Sequence, residues 1–353
     1  MTLDILTQLD RLRAFAPTRL SQEQIVYYIP FDQLTNSQSF ETRLLHSANT
    51  PGNYIAVVAP SGEGKSSLLA YTFGEPLSPD LRENIIPVRI PIGSEKDVVT
   101  SDLYSFYRYL LGVIGKRIDE LGVSSRAESD VRRIIKQTSG AKKQRTTSIQ
   151  VGTPKVAPHF QFSREVQTTT EQISGLTVDD ARRDWDRLLS VFKSHGKDLL
   201  IYFEDTDAWI ASSTGNRLDT AKAFFSGPLK DLFRNTTSST VIAVHSSYLT
   251  EDFYKDEMRQ LFNQTIRLPR LENPEHAFSL MLAKRIKFCS EVDTVEDVLE
   301  PAVVTVLGDY YRGGKSLRDI FIAVNTALGE AVDRKADRIT AEIMQLAISE
   351  LTS

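Results

Sequence analysis

Cysteine is nearly absent from this sequence. Cys289 is the single one in 353 residues, so no intrachain disulfide can form, and a reducing compartment is expected. It sits in a run of helical character and reads as a small buried hydrophobe. Long apolar runs are missing too: nothing approaches the roughly 20 residues needed to cross a bilayer, and the N-terminus lacks the charged-then-apolar pattern of a signal peptide. A cytoplasmic protein with no membrane partner is expected. Neither sign of charge dominates, with 42 Lys and Arg against 46 Asp and Glu. That balance leaves no global pull toward nucleic acid, so any such contact must be local. Internal repeats and a long low-complexity tail are likewise missing.

What is present is the composition of a packed globular protein, 41% hydrophobic and 25% charged. The length allows one larger and one smaller core. A first helix is expected over residues 3–15, then an extended YYIPF segment at 27–31, where Pro30 bars a regular helix, and a second helix at 41–47. The run YIAVVAP from Tyr54 suits a strand buried on both faces. Further strands are expected at 85–92, 198–203, 240–246 and 265–268, the first pushed toward an edge by its two prolines. Helices are expected at 66–73, 102–121, 178–193 and 218–233. Alternation at this spacing implies βαβ units and a mainly parallel sheet. After Leu271 only helical stretches remain, at 274–290, 295–311, 316–331 and 340–351. The expected organisation is an N-terminal segment over 1–50, an α/β core over 51–271 and a small all-helical unit over 272–353.

Residues 59–67, APSGEGKSS, follow the first buried strand and lead into a helix. This is the G-x-x-x-x-G-K-[ST] phosphate-binding pattern with Ala59 at the first glycine. In that setting the amides of Pro60 to Ser67 (Ser61, Gly62, Glu63 and Gly64 among them; Pro60 itself has no N–H) and the helix N-terminus converge on phosphate oxygens. Lys65 adds a positive charge, and Ser66 places a hydroxyl on Mg²⁺. A second constellation, LLIYFEDTD, is a hydrophobic strand ending in acids. P-loop enzymes hold Mg²⁺ and polarise the attacking water in this way. The register taken first has Glu204 contact the metal and Asp205 orient the nucleophilic water, with Asp207 in support. The other register makes Asp205 the metal acid and leaves Thr206 in the catalytic place, with slow hydrolysis.

The order of these motifs resembles the AAA+ superfamily, especially the initiator-type ATPases of origin recognition and the related STAND-type ATPases, over roughly residues 25–350. The resemblance implies a three-layer P-loop NTPase fold with a helical lid, and ATP with Mg²⁺ as ligands. It implies a polar sensor after the next strand, at Ser246 with His245 and Ser247 beside it. It also implies a lid arginine, Arg318, and an arginine finger for a neighbouring subunit, Arg259, with Arg267 and Arg270 as weaker choices. Tyr28 or Ile29 would border the adenine. Each arginine also has the plain reading of a surface residue on an amphipathic element. No winged-helix segment or repeat array is expected beyond the lid.

Residues 139–172 are polar, with the alternating pieces SIQV and FQFSREV, and read as an inserted β-hairpin. Lys136, Lys142, Lys143 and Arg145 form a local basic patch. Three uses stand open: a solvated loop, a protein-docking hairpin, or weak and salt-dependent phosphate contact with nucleic acid. The first functional expectation is an oligomeric ATPase that drives or licenses a partner. The alternative is a slowly hydrolysing, nucleotide-gated switch that recruits an effector on another chain. Compact relatives of this kind are associated with mobile elements and phage defence. A metabolic kinase is disfavoured, because the helical tail and Arg318 have no use there.

Overall fold

A computed structural model describes residues 2–17, 20, 23–35, 39–74, 85–93, 102–121, 177–211, 217–290 and 295–352. The expected hairpin at 139–172 and the basic patch from Lys136 to Arg145 lie outside them.

Five strands form one sheet: β1 (Tyr54–Ala59), β2 (Ile85–Pro91), β3 (Asp198–Glu204), β4 (Ser239–His245) and β5 (Gln264–Arg267), in the order β2-β3-β4-β1-β5. Every pairing is parallel. Parallel strands buried on both faces need no alternation, which is why β1, β3 and β4 read as continuous apolar runs. β2 is an edge strand, where Pro87 and Pro91 can lack an N–H on the unpaired side. The register sets Ala59 beside His245 and Pro91 beside Glu204. The carboxyl ends of β1, β3 and β4 therefore meet along one rim.

The helices are α1 (Thr2–Arg11), α2 (Phe31–Thr35), α3 (Phe40–Ala48), α4 (Lys65–Phe73), α5 (Leu103–Leu121), α6 (Val178–Ser194), α7 (Ala208–Ala211), α8 (Arg217–Phe224), α9 (Lys230–Asn235), α10 (Pro274–Cys289), α11 (Pro301–Arg312), α12 (Leu317–Asp333) and α13 (Ala341–Thr352). On one face of the sheet, α5 and α6 bury Phe106, Leu110, Trp185 and Leu188 against Ile201 and Phe203. The capping box of Thr177 and Asp180 starts α6. Its apolar residues Ala181, Trp185, Leu188 and Phe192 recur at helical spacing on one stripe. On the other face, Leu68, Leu69 and Leu44 from α4 and α3 cover Val57, Leu200 and Val241. A third core joins α1 to α10–α13, with Leu6, Leu9 and Phe15 packed among Phe278, Leu307, Ile320 and Val324. The chain's first helix thus belongs to the same core as its last four.

Three elements depart from expectation. The stretch read as one helix at 218–233 is α8, a π turn over Phe225–Leu229, and α9, because Pro228 has no N–H to continue an i→i−4 ladder. The stretch at 295–311 is a 3₁₀ turn followed by α11, which starts at Pro301; between them Leu299 bridges to Ile339. The segment read as extended at 27–31 is the end of a 3₁₀ turn over Glu23–Tyr27, then three irregular residues, then α2.

Candidate nucleotide-binding site

Residues 60–64 join β1 to α4 as a loop. Gly62 and Gly64 have φ of 81° and 85°, left-handed values that glycine adopts without Cβ strain. Ala59 is the last residue of β1, an extended position where a small side chain costs nothing. The departure from a leading glycine therefore leaves the loop intact. Lys65 is buried and donates to three acceptors: the carbonyls of Ala59 at 2.9 Å and Pro60 at 2.7 Å, and Asp207 Oδ2 at 2.8 Å. Those use all three ammonium hydrogens. Burial lowers the lysine pKa, and the Asp207 carboxylate opposes that. The other oxygen of Asp207 is buried and has no hydrogen-bond partner among the described residues.

The acidic turn after β3 is shaped by Asp205, whose φ of 64° is left-handed. Asp tolerates this region better than most residues. The curl is fixed by Thr206, whose buried hydroxyl donates to the Ala243 carbonyl at 2.6 Å, and by Tyr248, which donates to the Thr206 carbonyl at 2.9 Å. Gly93 completes it, since a Cβ there would stand 2.7 Å from the Asp205 Cβ. The turn carries Asp207 back to Lys65. Glu204 goes elsewhere: it is fully buried and accepts from Arg89 Nε on β2 at 2.8 Å. Burial raises its pKa to about 7, against the pull of Arg89. Asp205 and Asp207 line the cavity at the P-loop, together with Ser66 and Ser67. Glu204, expected to contact the metal, is thus placed against Arg89 and outside the cavity lining, while Asp205 and Asp207 line it.

His245 ends β4 beside Ala59. Its Nδ1 accepts from the Ser247 N–H at 3.1 Å, so in the neutral ring the proton lies on Nε2. Burial lowers its pKa, while Asp207 raises it. Ser246 opens the following 3₁₀ turn, half-buried. Arg318 is exposed at the second position of α12, where its N–H donates to the Gly62 carbonyl at 3.2 Å, and it lines the cavity. Arg259 is exposed just past the π turn of Phe253–Met258, away from the cavity lining. Arg267 is exposed on the edge strand β5. Arg270 clamps the helical unit, donating to the Tyr311 and Lys315 carbonyls at 2.8 Å each.

P-loop and helical unit are joined closely. A Cβ on Gly62 would stand 2.5 Å from Ser316 Oγ, which caps α12. Glu63 is buried and accepts from the Tyr311 hydroxyl at 3.3 Å. Burial raises its pKa, partly offset by Arg270.

The cavity, of about 290 Å³, continues from the P-loop to an apolar end. Tyr28 and Ile29 line that end. Tyr28 is held by stacking on Tyr71 at 4.3 Å and by donating to Glu41 at 2.5 Å. Sequence reasoning missed Tyr27, Met281, Arg285 and Phe321, which also line it. They come from segments far apart in the chain and carry no motif. Phosphate-binding loop, acids and apolar slot together can hold a compound with a polyphosphate at one end and a flat ring at the other.

No family model matches the chain, and no curated protein does. Among solved structures, the ORC2 protein of Aeropyrum pernix in its ADPNP–ADP complexes aligns with a TM-score of 0.52 at 14% identity, covering 92% of this chain and 70% of that one. The ADP form of the same protein aligns at 0.47 with 12% identity, over 96% of this chain and 72% of that one. The ORC1 protein of the same organism, in complex with DNA, aligns at 0.47 with 12% identity, over 93% and 67%. The chain has the AAA+ P-loop NTPase fold: a five-stranded parallel sheet between helices. None of its described helices is long and apolar enough to cross a membrane.

Proposed function

We propose that this chain binds ATP with Mg²⁺ in the cavity at the P-loop and hydrolyses it to drive or license a partner. The observation that carries this reading is the Lys65–Asp207 pair at the phosphate end of a cavity whose far end is an apolar slot. The donors fit Mg²⁺: the Ser66 hydroxyl, the second oxygen of Asp207, which lacks a partner among the described residues, and the half-buried Asp205 share that end. Among the described residues no group of three or more His, Cys, Asp or Glu could hold a metal alone. Phosphate oxygens and water would complete the shell, as is usual for this ion. Bound there, Mg²⁺ neutralises charge that develops on the transferred phosphoryl group.

The chain's own residues do the rest. The loop amides and the N-terminus of α4 bind the phosphates. Lys65 exchanges its carbonyl acceptors for phosphate oxygens, and Asp207, then free of Lys65, would be one of the residues that hold Mg²⁺. Asp205 aligns the water. Arg318 brings a positive charge from the helical unit, and His245 and Ser246 offer donors beside the terminal phosphate. Arg259 serves a neighbouring copy in a homo-oligomer, and an effector on another chain is the further partner. Phosphate release measured over many turnovers tests this: steady turnover that vanishes in Lys65→Ala is expected, and turnover unchanged in that variant would refute it.

A second reading, the slowly hydrolysing switch, is favoured by one observation. Glu204 is held by Arg89 with its pKa near 7, so the strand's own acid is withheld from the cavity. In that case the chemical step itself is slow and no burst of phosphate precedes it, which single-turnover kinetics distinguish.

A further inference from the structure

The apolar end of the cavity contains a buried cation. Arg285, on α10, is 6% exposed and lines the cavity. Its Nη1 donates to the carbonyls of Ala14 at 3.0 Å and Ala16 at 3.4 Å. Its guanidinium lies 3.8 Å from the centroid of Phe321 and 5.8 Å from that of Tyr27. Burial pushes its pKa down to about 10, so it stays charged at neutral pH; Tyr27 and Cys289 are the groups that act against the shift. No carboxylate among the described residues forms an ion pair with it. Neither Nε nor Nη2 makes a hydrogen bond among the described residues. A charge taken out of water is costly unless it is paired. Two carbonyls and two ring faces compensate one edge and one face of the guanidinium, and the remaining donors want an acceptor.

An apolar slot with a donor-only group inside it matches a flat ring that carries lone-pair nitrogens. An anion would satisfy the charge as well, but Ile29, Leu34 and Met281 beside it are apolar, the Tyr28 hydroxyl donates to Glu41 and the Tyr27 hydroxyl is engaged with Cys289 Sγ, so the slot offers an anion no further charged donor. We propose that Arg285 reads the base of the nucleotide, donating to a ring nitrogen of a purine seated against Phe321. This rests on the cavity being the nucleotide site. Arg285 then sets base preference while the P-loop sets phosphate affinity, and a base that turns an amino group toward the guanidinium is disfavoured.

The test uses the full chain with Mg²⁺ and compares ATP with its 1-deaza, 3-deaza and 7-deaza analogues and with tripolyphosphate. One of the three analogues is expected to bind the wild type about 10-fold or more weakly than ATP, the size of a lost hydrogen bond to a charged donor. The same penalty disappears in Arg285→Met, where the ratio of ATP to tripolyphosphate affinity falls by a similar factor. Because the analogue series is measured on the wild type, it stands even if the variant folds poorly. ATP bound with all three analogues equal to it overturns the role of Arg285 alone, as does a penalty that persists in Arg285→Met. No ATP binding to the wild type overturns the nucleotide reading and this one together.

Discussion

The two ends of the cavity are built in opposite ways. The phosphate end is made chiefly from one contiguous stretch, residues 60–67, and from the three-residue turn directly after β3. The base end is assembled from the 3₁₀ turn before Tyr28, from α10 and from α12. A loop whose function lies in its own backbone has to carry its glycines and lysine at fixed spacing, so it shows as a motif. A slot whose function lies in shape needs only apolar residues that converge after folding. On the proposed reading, the first is general for polyphosphates and the second sets which ligand is accepted.

The largest effect expected is on the phosphate end. Lys65→Ala should lower phosphate release by roughly 100-fold or more, the scale of removing a preorganised charge-stabilising donor. Asp207→Asn should approach that loss, while Glu204→Gln falls well short of it. Steady-state kinetics of the three variants would break the proposed division between the acids if the last two exchanged rank.

The buried acid gives a pH signature. With a folded pKa of about 7, Glu204 keeps its proton in the native chain after the unfolded chain has released its own near pH 4.5. The native state binds more protons through that window, so stability falls as pH rises from about 4.5 to 7, by on the order of 3 kcal/mol. Urea midpoints measured across the window should show the slope in the wild type and a flatter profile in Glu204→Gln. An identical slope in both would remove Glu204 as its source.

A smaller loss is expected where the two ends are tied together. Gly62→Ala strains a left-handed position and drives a methyl against Ser316 Oγ at 2.5 Å and Ser316 Cβ at 2.9 Å. A cost of about 1–3 kcal/mol in thermal unfolding, with weakened ATP binding, follows. Smallest of all is Arg259→Ala, which should leave the stability of an isolated chain within about 0.5 kcal/mol and change hydrolysis only in assembled particles. Particle mass measured with turnover checks it.

The strands and their parallel arrangement were legible because burial on both faces writes itself as apolar runs, and the prolines of β2 marked an edge. The π turn around Pro228 and the helix start at Pro301 were not foreseen for one reason: each proline sits in an apolar pattern that continues past it. The acidic turn was legible in composition, but not the left-handed curl that brings Asp207 to Lys65, since a left-handed Asp205 leaves no mark distinct from any other Asp. Arg285 was illegible, because an arginine in a helix reads as surface unless its neighbours in space are known.

The central claim is that one cavity holds the whole nucleotide, and a calorimetric titration of ATP with Mg²⁺ tests it directly. The account predicts saturation at one ATP per chain in the wild type and no measurable binding in Lys65→Ala. Absence of binding to the wild type, or equal binding by Lys65→Ala, would contradict it.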